Sequence, residues 1–201
     1  MTEKEISVLR EEMRSHMDER RYKHTLGVEK EMRRLAELLA PDLVLDAAIA
    51  GLLHDVTKCF PLDRQMAYCR ENGLEVDEDE KLAPALLHAK TGAHYARTHF
   101  SLLAGDAVTD AIERHTTAHP PLSLLAAMLF VADFTEEGRT YPDCVALRDF
   151  LNEKELTLAR FKEVVLYALD ISLAELLREG RPIALRTVTA RNAMLTDACL
   201  F

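Results

Sequence analysis

The amino-acid sequence predicts an all-α protein, a compact bundle of roughly nine to eleven helices. Apolar residues recur every three or four positions along most of the chain, which is the period of an amphipathic helix. No segment alternates apolar and polar residues over the length of a strand, and no internal repeat is present. We therefore expect one domain over residues 1–201, with its core at about 20–140 and C-terminal helices from 145 to 201 packed on it.

The first three helices are predicted from their apolar faces and from proline boundaries. One face of the first helix carries Ile6, Leu9, Met13 and Met17. The second helix continues with Tyr22, Leu26, Met32, Leu35 and Leu39. Pro41 closes the second helix, because proline cannot continue the hydrogen-bond ladder. Asp42 can cap a third helix that runs to about Thr57, with Pro61 beyond its end.

Glycine, asparagine and proline also divide the middle of the chain. A short helix over Leu62–Glu71 stops at Asn72-Gly73. The acidic stretch at residues 75–80 is interpreted as an exposed turn, since a run of charges usually faces solvent. Pro84 suits the first turn of the next helix, which extends towards Phe100.

Two further helices and a loop follow. Gly105-Asp106 opens a helix that ends near Thr116. Pro120-Pro121 starts another helix, which ends at about Phe134. The residues from 136 to 142 contain glycine and proline and are predicted to form a loop.

The C-terminal part of the chain is predicted to hold a long helix and a short one. Asn152 can cap the long helix, which runs to about Glu179. Gly180 and Pro182 stop it, because glycine favours the residue after a helix and proline cannot extend one. A last helix follows near Thr189.

Composition and charge exclude several classes of protein. The net charge of -9 argues against nonspecific nucleic-acid binding, although a nucleotide substrate remains compatible with a local positive pocket. No apolar run approaches ~20 residues, so no membrane span is expected. The charged N-terminus lacks the apolar segment of a secretory signal, which favours a cytoplasmic protein. Four scattered cysteines are interpreted as free thiols of a reducing compartment: Cys59, Cys69, Cys144 and Cys199.

Six polar residues stand in apolar surroundings where a core would normally exclude them. They are His24, His54, Asp55, His88, His115 and Asp133. Any one of them alone is more often a buried side chain with a hydrogen-bond partner in the protein. Four of the six fall in the last turn of a predicted helix, where the helix dipole favours a cation. Together they indicate a divalent-metal site, and a donor set without cysteine suits Fe, Mn, Co or Ni as well as Zn.

The adjacent pair His54-Asp55 is the centre of this hypothesis. Neighbouring residues on a helix point about 100° apart, so these two side chains can flank one ion. The second oxygen of Asp55 can then reach another ion. Burying both groups without a partner would cost several kcal/mol, which a metal would offset.

The order of these residues resembles the H…HD…D pattern of the HD-domain metal-dependent phosphohydrolases. The segments RYKHTLGV, AGLLHDVTK, LLHAKTGAH, AIERHTTAHP and LLAAMLFVADFTEEGR are similar to the YqeK-like group, the symmetrical diadenosine tetraphosphate hydrolases. The resemblance covers most of the chain, from about Arg20 to the segment TVTARNAML. It departs from the group at Ala118-His119-Pro120, where a glycine is common, and at Glu137, where a proline is common.

The resemblance implies a ligand set and an activity. It implies that one metal is held by His24, His54, Asp55 and Asp133. It implies that Asp55 bridges to a second metal held by His88 and His115. The two divalent ions are expected to be iron, with Mn, Co, Ni or Zn as alternatives. A metal-bound hydroxide would cleave diadenosine tetraphosphate into two ADP molecules.

Four residues are candidates for contacting the substrate. Lys58 and Asp55 are the two predicted catalytic residues. Lys58 can place its ammonium at the attacked phosphate; alternatively, its positive charge only stabilises the C-terminus of its helix. Arg139 offers a fork for a second phosphate, with a surface salt bridge as the alternative. Thr116 can bind a phosphate or pack between helices. His119 can contact a phosphate or a base, although an exposed loop histidine is the favoured interpretation.

Two other functions remain open at the level of sequence. The first is another HD phosphohydrolase, such as a nucleoside monophosphate phosphatase. The second is a non-catalytic nucleotide-binding module, which the intact set of six candidate ligands disfavours. The expected partner is therefore a dinucleoside polyphosphate or another nucleotide, without nucleic acid or membrane. The sequence leaves a homodimer open.

Overall fold

A computed structural model describes residues 2–196 and 201, and within them the protein is all-α, as predicted. The eleven helices of the described residues are α1 (Glu3–His16), α2 (Glu19–Leu39), α3 (Val44–Leu53), α4 (Leu62–Glu71), α5 (Glu78–Leu82), α6 (Leu87–His99), α7 (Asp106–Arg114), α8 (Leu124–Thr135), α9 (Pro142–Asn152), α10 (Leu158–Arg178) and α11 (Leu185–Thr196). Short 3-10 turns at Pro41–Leu43 and Pro84–Leu86 lead into α3 and α6. Among these described helices, none has the length and apolarity needed to span a membrane.

Two apolar helices form the centre of the core. α3 is buried from Ala47 to Leu53, and α8 is buried from Leu125 to Ala132. A helix that is apolar on every side requires neighbours all around it, and α2 and α7 pack against both. The approach of α2 to α3 is close, because a Cβ on Gly51 would lie 2.8 Å from the Cα of Glu29. These contacts fix the ends of α2, α3 and α8 relative to one another.

The third helix is shorter than predicted, ending at Leu53 rather than near Thr57. Tight turns follow the helix. The backbone amide of Val56 donates to the carbonyl of Leu53, and the backbone amide of Lys58 donates to the carbonyl of Asp55. Two polar side chains of this segment have partners on other helices, since Asp55 pairs with Arg21 and Thr57 donates to the carbonyl of His88. Asp42 lies in the preceding 3-10 turn, and no side-chain cap is present at either start.

The acidic stretch at residues 75–80 is not simply an exposed turn. Asp77 caps α5, and Glu80 is only 2% exposed because its carboxylate pairs with Lys90 at 2.6 Å. Asp79 accepts hydrogen bonds from the amides of Leu185 and Arg186 at 2.7 and 3.0 Å, which caps the start of α11. The charge run therefore ties the C-terminal helix to the body of the protein.

Two helix starts in the second half of the chain were wrong in the sequence interpretation. Asn152 does not cap the long helix. It is the last residue of α9, and its side-chain amide donates to the carbonyl of Arg148. The cap of α10 is Thr157, whose hydroxyl accepts from the amide of Arg160. Ser123 caps α8, so this helix begins after the Pro120-Pro121 pair rather than at it.

The cysteines are free thiols where the structure describes them. Cys59 is exposed, and Cys69 and Cys144 are buried. Cys199, the fourth predicted free thiol, lies outside the described residues.

Candidate metal centre

All six predicted ligand residues meet at one end of the core. They are His24 in α2, His54 and Asp55 directly after α3, His88 in the first turn of α6, His115 directly after α7, and Asp133 in the last turn of α8. His54, Asp55, His88 and His115 are each at most 3% exposed. The fold therefore gathers the predicted set, while metal ligation by each residue stays a prediction.

The donor atoms form two adjacent groups of three. The first triad is His24, His54 and Asp133. The second triad is Asp55, His88 and His115. Within each triad the donor atoms lie within 4.8 Å of one another, a spacing at which they could hold one ion. The rings of His54 and His115 are 5.3 Å apart between centroids, so the triads are neighbours.

Asp55 lies between the two triads. Its Oδ1 is 3.2 Å from Nε2 of His88 and 3.7 Å from Nε2 of His115. Its Oδ2 is 3.5 Å from Nε2 of His54, which belongs to the first triad. The two oxygens of one carboxylate thus face different triads, the arrangement that a bridging ligand requires.

Three of the histidines are oriented by backbone carbonyls. Nδ1 of His54 donates to the carbonyl oxygen three residues earlier at 2.7 Å, and the equivalent distances for His88 and His115 are 2.6 Å each. Since a carbonyl only accepts, Nδ1 carries a proton, and Nε2 is the ring nitrogen that faces the cluster. Hydrogen bonding of the second ring nitrogen is the usual way in which a metal-binding histidine is held.

His24 is oriented by a carboxylate instead. Its Nδ1 lies 3.2 Å from Oε1 of Glu136, while its Nε2 lies 3.0 Å from Oδ1 of Asp133. The other carboxylate oxygen of Glu136 accepts from the amide of Gly138 at 2.6 Å. A Cβ on Gly27 would lie 2.3 Å from the same oxygen, so the absence of a side chain there makes room for Glu136.

Two of the imidazole nitrogens show that the pocket suits a metal. Nε2 of His24 and Nε2 of His54 are buried, and neither has a partner with hydrogen-bond geometry within residues 2–196 and 201, although oxygens of Asp133 and Asp55 lie 3.0 and 3.5 Å away. Buried polar atoms are nearly always satisfied, so these two atoms need explaining. A divalent ion in the first triad would supply the missing partner, and imidazole with carboxylate is a suitable donor set.

Each carboxylate of the cluster also forms a salt bridge with an arginine. Arg21 pairs with Oδ2 of Asp55, and Arg139 pairs with Oδ1 of Asp133 at 2.6 Å. Burial alone would raise the pKa values of both carboxyl groups. The imidazoles around Asp55, and His24 with Arg139 beside Asp133, instead hold both pKa values well below their usual range. Both aspartates are therefore ionised and available as ligands near neutral pH.

Lys58 lies at the edge of the second triad. Its Nζ is 3.0 Å from both ring nitrogens of His88. Burial lowers the pKa of Lys58 from its ordinary value, an effect that Asp55 partly opposes. The ammonium is thus close to the cluster without being a ligand itself.

The HD domain family model matches residues 21–137, which includes all six residues of the cluster. The chain belongs to the HD domain family. The symmetrical bis(5'-nucleosyl)-tetraphosphatase of Halalkalibacterium halodurans is 30% identical, over 92% of this chain and 94% of that protein. The protein of the same name from Bacillus subtilis is 27% identical, over 92% and 95%. The predicted family resemblance is confirmed, and the protein is a hydrolase of the HD superfamily.

A solved structure has the same fold along the whole chain. A predicted HD superfamily hydrolase involved in NAD metabolism, from Clostridium acetobutylicum, is 28% identical and superimposes with a TM-score of 0.84. The match covers 98% of each chain. The helices outside the HD domain match, including α10 and α11, are therefore shared with this relative.

The other two substrate candidates, Thr116 and His119, follow the triad residue His115 in the sequence. Thr116, next to His115, is partly buried and lines a cavity of 340 Å³. His119 is partly buried rather than exposed in a loop, and its Nδ1 is 2.9 Å from the hydroxyl of Thr117. Burial and the nearby Arg114 lower the pKa of His119 to about 4, so it is neutral near pH 7. A role in substrate binding stays a prediction for both residues.

The two departures from the family pattern have simple structural settings. Ala118 has a φ of 49°, in the left-handed region that favours glycine. Glu137, at the position where proline is common, is exposed and pairs with Lys30 at 2.9 Å. Neither residue belongs to a triad.

Sequence reasoning missed Arg21 and Glu136. Arg21 precedes His24 by three residues on α2, and Glu136 follows Asp133 by three residues at the end of α8. A spacing of three places two side chains on the same helix face. A charged residue three positions from a candidate ligand was therefore the signal that could have identified Arg21 and Glu136.

Metal binding to the first triad is expected to depend on pH. Burial disfavours the charged imidazole of His24, but Asp133 and Glu136 overcome this and raise its pKa to about 9. A metal must displace that proton, so affinity should rise about tenfold per pH unit and level off above about pH 9. Burial lowers the pKa of His88 to about 4, so it needs no proton loss at neutral pH.

Titration of the metal-free protein with Co²⁺ at pH values of about 6.5, 7.5 and 8.5 would measure this difference. The second triad is the internal control, because its affinity should change much less over the same range. Equal pH slopes for the two sites would contradict the role assigned to His24.

Replacing Gly27 by alanine is expected to weaken metal binding without weakening the helix. The new methyl group would displace the Glu136 carboxylate from His24, and loss of such a partner typically costs ~10- to 100-fold in metal affinity. Alanine is the better helix former by about 1 kcal/mol, so the backbone of α2 does not suffer. Gly105→Ala is the matched control, since nothing lies within 4 Å of a Cβ there. Unchanged metal affinity in Gly27→Ala would show that Glu136 does not orient His24.

Proposed function

We propose that the protein hydrolyses diadenosine tetraphosphate and related dinucleoside tetraphosphates symmetrically, giving two nucleoside diphosphates. The observation that carries the proposal is the pair of adjacent triads, joined by Asp55 and bordered by three cationic side chains. Two relatives that match over more than nine-tenths of the chain are named for this reaction. The proposed cofactor is a pair of divalent ions, with iron as the first choice.

The cluster residues would hold the two ions. The first triad with Asp55 would bind one ion, and Asp55 with His88 and His115 would bind the other. When bound, such ions supply the Lewis acidity that polarises the attacked phosphoryl group and lowers the pKa of the attacking water. The reaction adds one water across the central P–O–P bond, so that each half leaves as a diphosphate.

The cationic side chains would bind and orient the tetraphosphate. Arg21 and Arg139 each present a guanidinium, which matches a phosphate with two parallel hydrogen bonds. Arg21 now pairs with Asp55, and Arg139 pairs with Asp133. A substrate phosphate would therefore replace the carboxylate as the partner of each arginine. Lys58 would place a point charge at the attacked phosphate, where negative charge increases in the transition state.

Two cavities on either side of Arg139 have room for the two halves of the substrate. One, of 990 Å³, includes Arg21 and His24 in its wall, and the other, of 520 Å³, includes Asp133. Arg139 and Tyr141 line both cavities. A substrate with two nucleotide arms joined through its phosphates suits this arrangement better than a mononucleotide does.

A nucleotide phosphatase is the second candidate, because the relative from Clostridium acetobutylicum is described as involved in NAD metabolism. Product analysis separates the two functions. The iron-loaded protein is incubated with diadenosine tetraphosphate, AMP and NAD, and the products are separated by chromatography. ADP as the sole nucleotide product of diadenosine tetraphosphate supports the proposal. Release of ATP with AMP, or of adenosine from AMP alone, contradicts it.

A further inference from the structure

A row of cavities leads from the candidate metal centre into the C-terminal helices. The cavity of 520 Å³ begins at Asp133 and Arg139 and reaches Glu175 in α10. The cavity of 340 Å³ begins at Glu175 and continues between α10, α11 and the 3-10 turn before α6. Because Glu175 lines both cavities, they adjoin at this residue.

The far cavity is mainly apolar. Its aliphatic wall includes Leu82, Pro84, Leu86, Leu176, Pro182 and Ala184, and the cationic Arg181 also lines it. Thr116 and Thr187 add hydroxyl groups to the same wall. An apolar pocket with a few polar groups is the usual form of a small-molecule site, and the volume lies in the common range.

Glu175 is a carboxylate without a direct partner at the junction. Within residues 2–196 and 201, no hydrogen bond or salt bridge to its carboxylate is found, although the side chain is partly buried. Arg178, one turn further along α10, pairs with Asp143 instead. A carboxylate that accepts from the ribose hydroxyls is a recurring element of nucleotide sites.

The chemistry along the row has the order of the groups in a nucleotide. Arg139 suits a phosphate, Glu175 suits a ribose, and the apolar cavity suits a base. We propose that this row binds one nucleoside arm of the substrate, with Glu175 on the ribose hydroxyls and the base against Leu86 and Leu176. The proposal rests on the proposed function, because it places the phosphates of that substrate at Arg139.

The location of this site explains how a common metal centre could acquire a preference for nucleotides. Glu175 and Leu176 belong to α10, which lies outside the HD domain match at residues 21–137. The shared domain carries the metal ligands, and the added helices would select the nucleoside.

The test measures binding rather than hydrolysis. Isothermal titration calorimetry of the Mn²⁺-loaded protein would use ADP, its 2',3'-dideoxy analogue and inorganic pyrophosphate. The wild type should prefer ADP over the dideoxy compound by about tenfold or more, since a hydrogen bond to a charged group is lost. Glu175→Gln should remove most of this preference while pyrophosphate binding stays the same. Glu179→Gln is the control, a carboxylate of the nearer cavity that pairs with Arg181.

A second variant fills the far cavity. Leu176→Trp should weaken ADP binding by about tenfold or more and leave pyrophosphate binding unchanged, because only the base is displaced. The inference is overturned if the wild type does not bind ADP, if Glu175→Gln keeps the ribose preference, or if Leu176→Trp binds ADP normally. Failure of the proposed function would be detected by a different measurement, because it changes the hydrolysis products and not these binding affinities.

Discussion

Alanine at position 55 is expected to leave the protein folded, with at most one bound metal per chain and almost no hydrolysis. Asp55 is the residue whose two oxygens face different triads, so its loss removes a ligand from both sites. The transition-state stabilisation supplied by the metals is several kcal/mol, so kcat/KM should fall by about a thousandfold or more. Elemental analysis and steady-state kinetics measure the two effects.

Asp63→Ala is the matched control for this substitution. Asp63 is an exposed carboxylate in the first turn of α4 and is not part of either triad. The control should keep both metals and full activity. A full metal content in Asp55→Ala, with normal circular dichroism in both variants, would refute the bridging assignment.

The Lys58→Ala variant should separate metal binding from turnover. The ammonium is close to His88 but is not a ligand, so both metals should remain bound. Removing a positive charge aimed at the transition state typically costs ~100- to 1,000-fold in kcat. Metal analysis and a comparison of kcat with KM measure the outcome.

Two further variants control for the charge of Lys58. Lys58→Arg keeps a cation with a different shape and should recover only part of the turnover. Lys81→Ala removes an exposed lysine that pairs with Glu78, and it should have no effect. Unchanged kinetics in Lys58→Ala would remove its proposed role, whereas loss of metal would make it a residue that supports His88.

The helical fold and the set of candidate ligands were predictable, for different reasons. Apolar periodicity gave the fold class, because a buried helix face repeats every three to four residues whatever its partners are. No periodicity singles out His88 or Asp133. They were recognised as polar residues in apolar surroundings, and their division between two metals came from the resemblance to the HD family. The structure adds that these residues lie at helix ends that meet.

The features that sequence did not predict depend on contacts between distant residues. α3 ends at Leu53, and in the turns that follow it Thr57 donates to the carbonyl of His88, which lies 31 residues away. Glu80 is buried because its carboxylate pairs with Lys90, and this pairing cannot be predicted from the run of charged residues. α9 is different, since Leu147 and Leu151 have helical spacing and offered a local signal that was overlooked.

Anomalous diffraction from crystals of the iron-loaded protein, at the iron absorption edge, would locate any bound metal in the candidate centre. We expect two peaks per chain, one among His24, His54 and Asp133, and one among Asp55, His88 and His115. Asp55 should be the residue that lies between the peaks. A single peak, or peaks away from these six side chains, would contradict the two-metal centre.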